Sequence, residues 1–202
     1  MNNNIIKMRR GAKISDSFWF YEVIGQESIA KNFIEKLLNV RIKSICKNEM
    51  GNRIRFEVLV DDNEKKCDVE IHRVTNIIDL GKRFRYYRDI RDLEANEYYK
   101  EYKKSYIIFL CEFDYFKKGF PIYTFENRAV ENSEITLDDE TYKIILNMDY
   151  AEENKKMVSN DIAEFLSYMK NGIVGEYSCD LVKNIQEEFL KVESNKNVII
   201  KD

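Results

Sequence analysis

The chain is poor in the residues that break or punctuate structure: 202 residues include one proline and seven glycines. That scarcity, with 44% hydrophobic residues, excludes collagen-like, linker-like and broadly disordered classes. No apolar run approaches the roughly 20 residues that span a bilayer. The opening segment, Met1 to Arg10, lacks the long apolar core of a secretory signal, so the expected location is cytoplasmic, with no membrane partner. Cysteine is sparse and scattered: Cys46, Cys67, Cys111 and Cys179 form neither a CxxC redox pair nor a zinc-ligand spacing, and read as reduced and mostly packed thiols. Acids and bases nearly cancel, to a net charge of -3, which argues against indiscriminate nucleic-acid binding and leaves room for a local basic groove. Histidine occurs once, at position 72.

What is plentiful is aromatic weight, with 13 tyrosines and 12 phenylalanines, enough for one domain with a real core. Residues 1–14 read as a loose basic arm. Ser15-Asp16-Ser17 offers helix-cap chemistry before the aromatic cluster at 18–21. Residues 26–39 have a helical period, with Ile29, Phe33 and Leu37 on one stripe and Glu27, Lys31 and Glu35 away from it. From Asp79 to Tyr99 a second helix carries Leu80, Phe84 and Tyr87 on its apolar side and a basic stripe of Lys82, Arg85 and Arg88, flanked by Arg83 and Arg91. Ser105 to Phe113 has the texture of a buried central strand, followed by strands at 121–126 and 142–147. Beyond a charged connector, Ser159 caps a helix that ends at Gly172 and Gly175, and a last amphipathic helix runs from Cys179 to about Val192. The expectation is an α/β fold: a mixed sheet in a core of residues 15–150, and a C-terminal helical extension over 151–202 that packs on the core or on a partner, a second subunit included.

The stretch from Arg55 to His72 organises the rest. Alternation on either side of a polar centre at 61–65 predicts a β-hairpin. Arg55 and Glu57 then share one face of the first strand, and Asp68, Glu70 and His72 one face of the second, opposite apolar Cys67, Val69 and Ile71. Carboxylates on neighbouring strands bring hard oxygen donors together, suited to Mg²⁺ or Mn²⁺, and such an ion suffices for phosphodiester hydrolysis with few protein groups. Glu57 and Glu70 are the ligand pair. His72 can hold or deprotonate the attacking water. The same residues also read as a solvent-facing polar strand face. Asp68 is either an extra ligand or a solvated acid near the turn. The basic stripe either contacts phosphates or balances Asp79, Asp89 and neighbouring acids as an exposed helix face.

Glu57 with Asp68-Val-Glu70-Ile-His72, followed by Gly81-Lys82-Arg83-Phe-Arg-Tyr-Tyr87, resembles the PD-(D/E)XK nuclease superfamily, and more closely its transposase-associated branch of recombination-promoting nucleases. The stretches at 16–39, 98–109 and 121–127 follow that branch's texture in the same order. The resemblance implies a PD-(D/E)XK nuclease-like mixed sheet flanked by helices, and a metal-dependent DNA endonuclease or a recombination and transposition factor derived from one. It implies Glu57 at the superfamily's metal-binding aspartate, Glu70 at the acid of its (D/E)xK element and His72 in place of the lysine. Arg83 and Tyr87 correspond to the branch's recurrent pair on the following helix, and Asp16 to its early acid. Glutamate for aspartate and histidine for lysine depart from the pattern at the site itself. They keep open a second expectation: a catalytically degenerate nuclease-fold protein that binds nucleic acid or a protein partner in conflict between mobile elements and their hosts.

Overall fold

A computed structural model describes residues 6–7, 17–50, 53–61, 65–76, 79–95 and 102–199. The elements in chain order are β1 (Ile6–Lys7), α1 (Ser17–Ile24), α2 (Glu27–Leu38), β2 (Ile42–Met50), β3 (Arg53–Val60), β4 (Lys66–Val74), α3 (Leu80–Ala95), β5 (Lys104–Cys111), β6 (Ile122–Phe125), β7 (Thr141–Asn147), a 3₁₀ helix (Glu152–Met157), α4 (Asn160–Asn171), β8 (Ile173–Val174) and α5 (Asp180–Ile199). Six strands form one mixed sheet in the order β2-β3-β4-β5-β7-β6. β2, β3 and β4 are an antiparallel meander, β5 runs parallel to β4 and β7 parallel to β5, and β6 closes the far edge antiparallel. A parallel neighbour demands a crossover, and α3 supplies the one between β4 and β5.

Alternation along the strands divides the core in two. Phe56, Val58, Val69, Ile71, Ile108, Leu110, Ile144 and Leu146 face a large cluster with Phe20, Phe33, Phe165 and Phe189 of the four helices α1, α2, α4 and α5. The C-terminal helices therefore pack on the same sheet face as the N-terminal ones, with Phe33 against Phe165 at 4.7 Å and Trp19 against Phe189 at 5.1 Å. The opposite face holds a smaller cluster, where Leu80 and Phe84 of α3 meet Val74, Ile107, Phe109, Cys111 and Ile145. The burial of Cys67 and Cys111 pushes their thiols up to about 11 and about 12, so both stay protonated near neutrality, as their reading as packed, reduced residues requires. Among the described residues no helix is long and apolar enough to cross a membrane.

Two elements differ from expectation. β2 was not anticipated: it is an edge strand with polar Lys43, Ser44, Lys47 and Asn48, and a register shift between Ile42 and Ser44 breaks its alternation. Its outer amides are covered by acids of α2, since Ile42 N–H donates to Glu35 Oε1 at 2.7 Å and Lys47 N–H to Glu27 Oε1 at 2.9 Å. The basic arm is also tied down at one point, where Ile6 and Lys7 pair with Val174 and Ile173.

α4 begins and ends as its sequence chemistry requires. Ile162 N–H donates to Ser159 Oγ, and Gly172 closes the helix at φ 66°, a conformation glycine adopts without Cβ strain. Ser159→Ala removes the cap from a helix whose Ile162, Phe165, Leu166 and Met169 are all in the core. The expected cost is about 1 kcal/mol, read as a lower denaturant midpoint with an unchanged slope.

Candidate functional site

The hairpin register assembles the site. Arg55 lies opposite Glu70 and Glu57 opposite Asp68 across β3 and β4, while Asp68, Glu70 and His72 neighbour Ser105, Ile107 and Phe109 of β5. All of these side chains leave the sheet on the α3 side, as alternation requires. Glu70 is diagonal to Glu57 across the pair, about 7–8 Å apart at the backbone, within reach of a shared ligand.

The polar face is not solvent-washed. Glu70 is 3% exposed and His72 1%. His72 Nε2 lies 2.9 Å from Glu70 Oε1. The imidazole stacks on Tyr87 of α3 at 3.9 Å with 23° between planes, and meets Phe109 edge-on at 5.4 Å. Arg83 completes the line: its Nε and Nη2 donate to Tyr87 Oη at 3.3 and 3.2 Å, and its guanidinium lies over the Phe109 ring. Carboxylate, imidazole, phenol and guanidinium thus run in series from β4 to α3. So covered, His72 has its ring roofed by Tyr87 and its Nε2 turned to the carboxylate, an arrangement that suits orienting Glu70.

Asp68 also departs from one expectation. It is no solvated acid: its side chain is 14% exposed and accepts from Arg55 Nη2 at 3.2 Å. Glu57 stands at the open side of the cluster, its side chain 30% exposed. Its two oxygens face different lysines, Oε1 accepting from Lys66 Nζ at 2.9 Å and Oε2 from Lys103 Nζ at 2.6 Å. Those hydrogen bonds, Lys103 first, hold the Glu57 carboxyl below the ordinary glutamate range.

A lowered folded-state value means that the pairing contributes stability above the ordinary glutamate pKa and loses it as pH falls through the depressed value. Lys103→Met removes the larger cause. We expect the Glu57 carboxyl to titrate closer to the ordinary range in that variant, followed by ¹³C carboxyl shifts, with any stability difference from wild type confined to pH above that titration.

The basic stripe of α3 is split. Lys82 and Arg88 are engaged on the helix itself, Lys82 Nζ at 3.0 Å from Asp79 and Arg88 Nη2 at 2.9 Å from Asp89, as the local-pair reading anticipated. Arg85 is exposed. Among the stripe residues whose side chains are described, Arg83 alone turns inward to the site. Asp16 lies outside the described residues. Sequence reasoning missed Arg55, Lys66 and Lys103 as partners of the carboxylates. It also missed Tyr21 of α1, read only as core. Burial pushes its phenol up, and Tyr87, Arg83, Arg73 and Glu70 all lie within its electrostatic reach.

Among the described residues no three His, Cys, Asp or Glu side chains converge as a ready-made metal cage. Mg²⁺ does not need one; it is usually held by one or two carboxylates, with water and substrate phosphate completing the shell. Glu57 and Glu70 match that donor set in kind. The groups facing Glu57 are long, flexible lysine ends, Lys66 being 55% exposed, so the carboxylate can be released without moving the backbone.

Comparison with family models, with curated proteins and with solved structures returns no match to this chain.

Proposed function

We propose that this protein acts on DNA as a PD-(D/E)XK-type endonuclease, or as a nuclease-derived recombination factor, hydrolysing phosphodiester bonds with Mg²⁺ or Mn²⁺. The observation that carries the reading is the shared face of Glu57, Asp68, Glu70 and His72 on β3 and β4, with Arg83 and Tyr87 of α3 over it. These are the residues on which the sequence resemblance rests, and they come from segments separated in the chain. The mixed sheet with helices on both faces is compatible with the same reading.

In this reading Glu57 and Glu70 hold the divalent ion. When bound, the ion supplies Lewis acidity and a more acidic water. Everything else is done by the chain. His72 sets the rotamer of Glu70, Arg55 fixes Asp68 beside it, and Tyr87 and Arg83 roof the pair. Exposed Arg85, with Lys82 and Arg88 once they leave their aspartates, supplies sequence-independent phosphate contacts that hold the strand in register.

The test is incubation of supercoiled plasmid and single-stranded DNA with Mg²⁺, with Mn²⁺ and with a chelator. Ion-dependent conversion to nicked or linear products supports the reading. No conversion under any condition transfers support to a second reading, favoured by the pairing of Glu57 with Lys66 and Lys103: a degenerate nuclease-fold protein that binds nucleic acid or a protein partner without cutting.

A further inference from the structure

Three strand segments meet at Glu57. It projects from β3, Lys66 opens β4, and Lys103 lies immediately before β5, distant in sequence yet 2.6 Å away. Two ammonium groups addressing the separate oxygens of one anion make a seat for an oxyanion, because lysine recognises phosphate as a point charge. Ser105 of β5, two residues beyond Lys103, is 1% exposed, and among the described residues its Oγ has no hydrogen-bond partner. The seat has an open side, as the partial exposure of all three charged side chains shows.

We propose that the Lys66–Lys103 pair is a binding site for a backbone phosphodiester of nucleic acid, and that Glu57 occupies it as an internal anion until the phosphate displaces it. The exchange is an anion swap with no covalent change. Phosphate takes the two ammonium groups, and the Glu57 carboxylate is released along the strand face it shares with Glu70. Binding of the strand and freeing of the carboxylate are then one event, so a cation held by Glu57 and the phosphate held by the lysines favour each other's binding, reciprocally. The inference rests on the proposed function only in naming nucleic acid as the natural source of the phosphate.

The experiment titrates two probes into ¹⁵N-labelled full-length protein without divalent ions: inorganic phosphate, and a thymidine dinucleotide whose only phosphate is the internal diester. Amide shifts around positions 57, 66 and 103 are read. Glu57→Gln keeps the shape and removes the competing charge, and both probes are expected to bind it about tenfold more tightly than wild type. Lys66→Met with Lys103→Met in the Glu57→Gln background is expected to abolish those shifts. Equal affinity in wild type and Glu57→Gln overturns the proposal, as do shifts that persist without the lysines. Binding of inorganic phosphate alone overturns the assignment to a backbone diester. Spectra of each variant away from the hairpin report whether it has folded, and Lys103→Met alone, compared with wild type, repeats the test if the triple variant does not. A protein that cuts plasmid but shows no gain in Glu57→Gln keeps the nuclease reading and loses the seat; one that gains affinity but never cuts does the reverse.

Discussion

Glu70→Ala is expected to abolish ion-dependent DNA cutting while leaving the protein folded. Removing a residue that merely supports a metal ligand costs roughly 10–100-fold in affinity or activity, and a ligand itself should exceed that. Glu70 has no evident substitute. Asp68, the nearest acid on β4, is held by Arg55, and Glu57 is a diagonal neighbour already counted in the proposed ligand pair. The variant must be separated from simple unfolding, because a carboxylate that is 3% exposed is part of a packed network. Glu70→Gln, which keeps the volume and an oxygen facing His72, serves that purpose. Both variants should lose cutting, and Glu70→Gln should melt close to wild type. Cutting that survives in Glu70→Gln would place the chemistry elsewhere.

Phe109→Ala should produce the largest loss of stability, about 3–5 kcal/mol. The ring is fully buried and stacks on Phe84 of α3 at 4.0 Å with 16° between planes. It is also the surface against which His72 and Tyr87 stand edge-on and over which the Arg83 guanidinium lies. Phe109 is one of the sheet residues that hold Leu80 and Phe84 of α3 in the small cluster on this face, so a cavity here loosens α3 itself. For a chain of this size the melting temperature should fall by about 10 °C. The site should loosen with it, since the residues that hold Glu70 lean on the same ring. Ile108→Ala, on the opposite face against the four-helix layer, should destabilise the protein while leaving the Arg83–Tyr87–His72 line intact. Fluorescence-monitored denaturation and amide shifts of α3 distinguish the two.

The parts of this architecture legible in the sequence are those governed by local periodicity. The β3–β4 hairpin declared its faces because Cys67, Val69 and Ile71 alternate without interruption against Asp68, Glu70 and His72, and the structure buries the first set as expected. β5 was equally plain, a continuous apolar run destined for both faces of a covered sheet. β2 was not, because an edge strand with one half-solvated side has little reason to keep a hydrophobic rhythm. The site divides in the same way. Glu57, Glu70 and His72 could be placed on one face by counting residues. What each carboxylate touches could not: Lys103 becomes a neighbour of Glu57 only through the parallel register of β4 and β5, and a single lysine before a strand carries no signal of its own. His72 was similarly half-read, its face correct and its concealment under Tyr87 decided by the docking of α3.

The two-residue ladder between β1 and β8 has a consequence for the order of assembly. Ile6 and Lys7 precede every other described element, yet their partners Val174 and Ile173 are made only after the entire central sheet and α4. β1 must wait until all of these are made before it can be fastened, and closing so long a loop for so few backbone bonds makes it a late contact and an early one to release. Hydrogen exchange should find the amides of this ladder opening well before those of β5, so the molecule first unzips here.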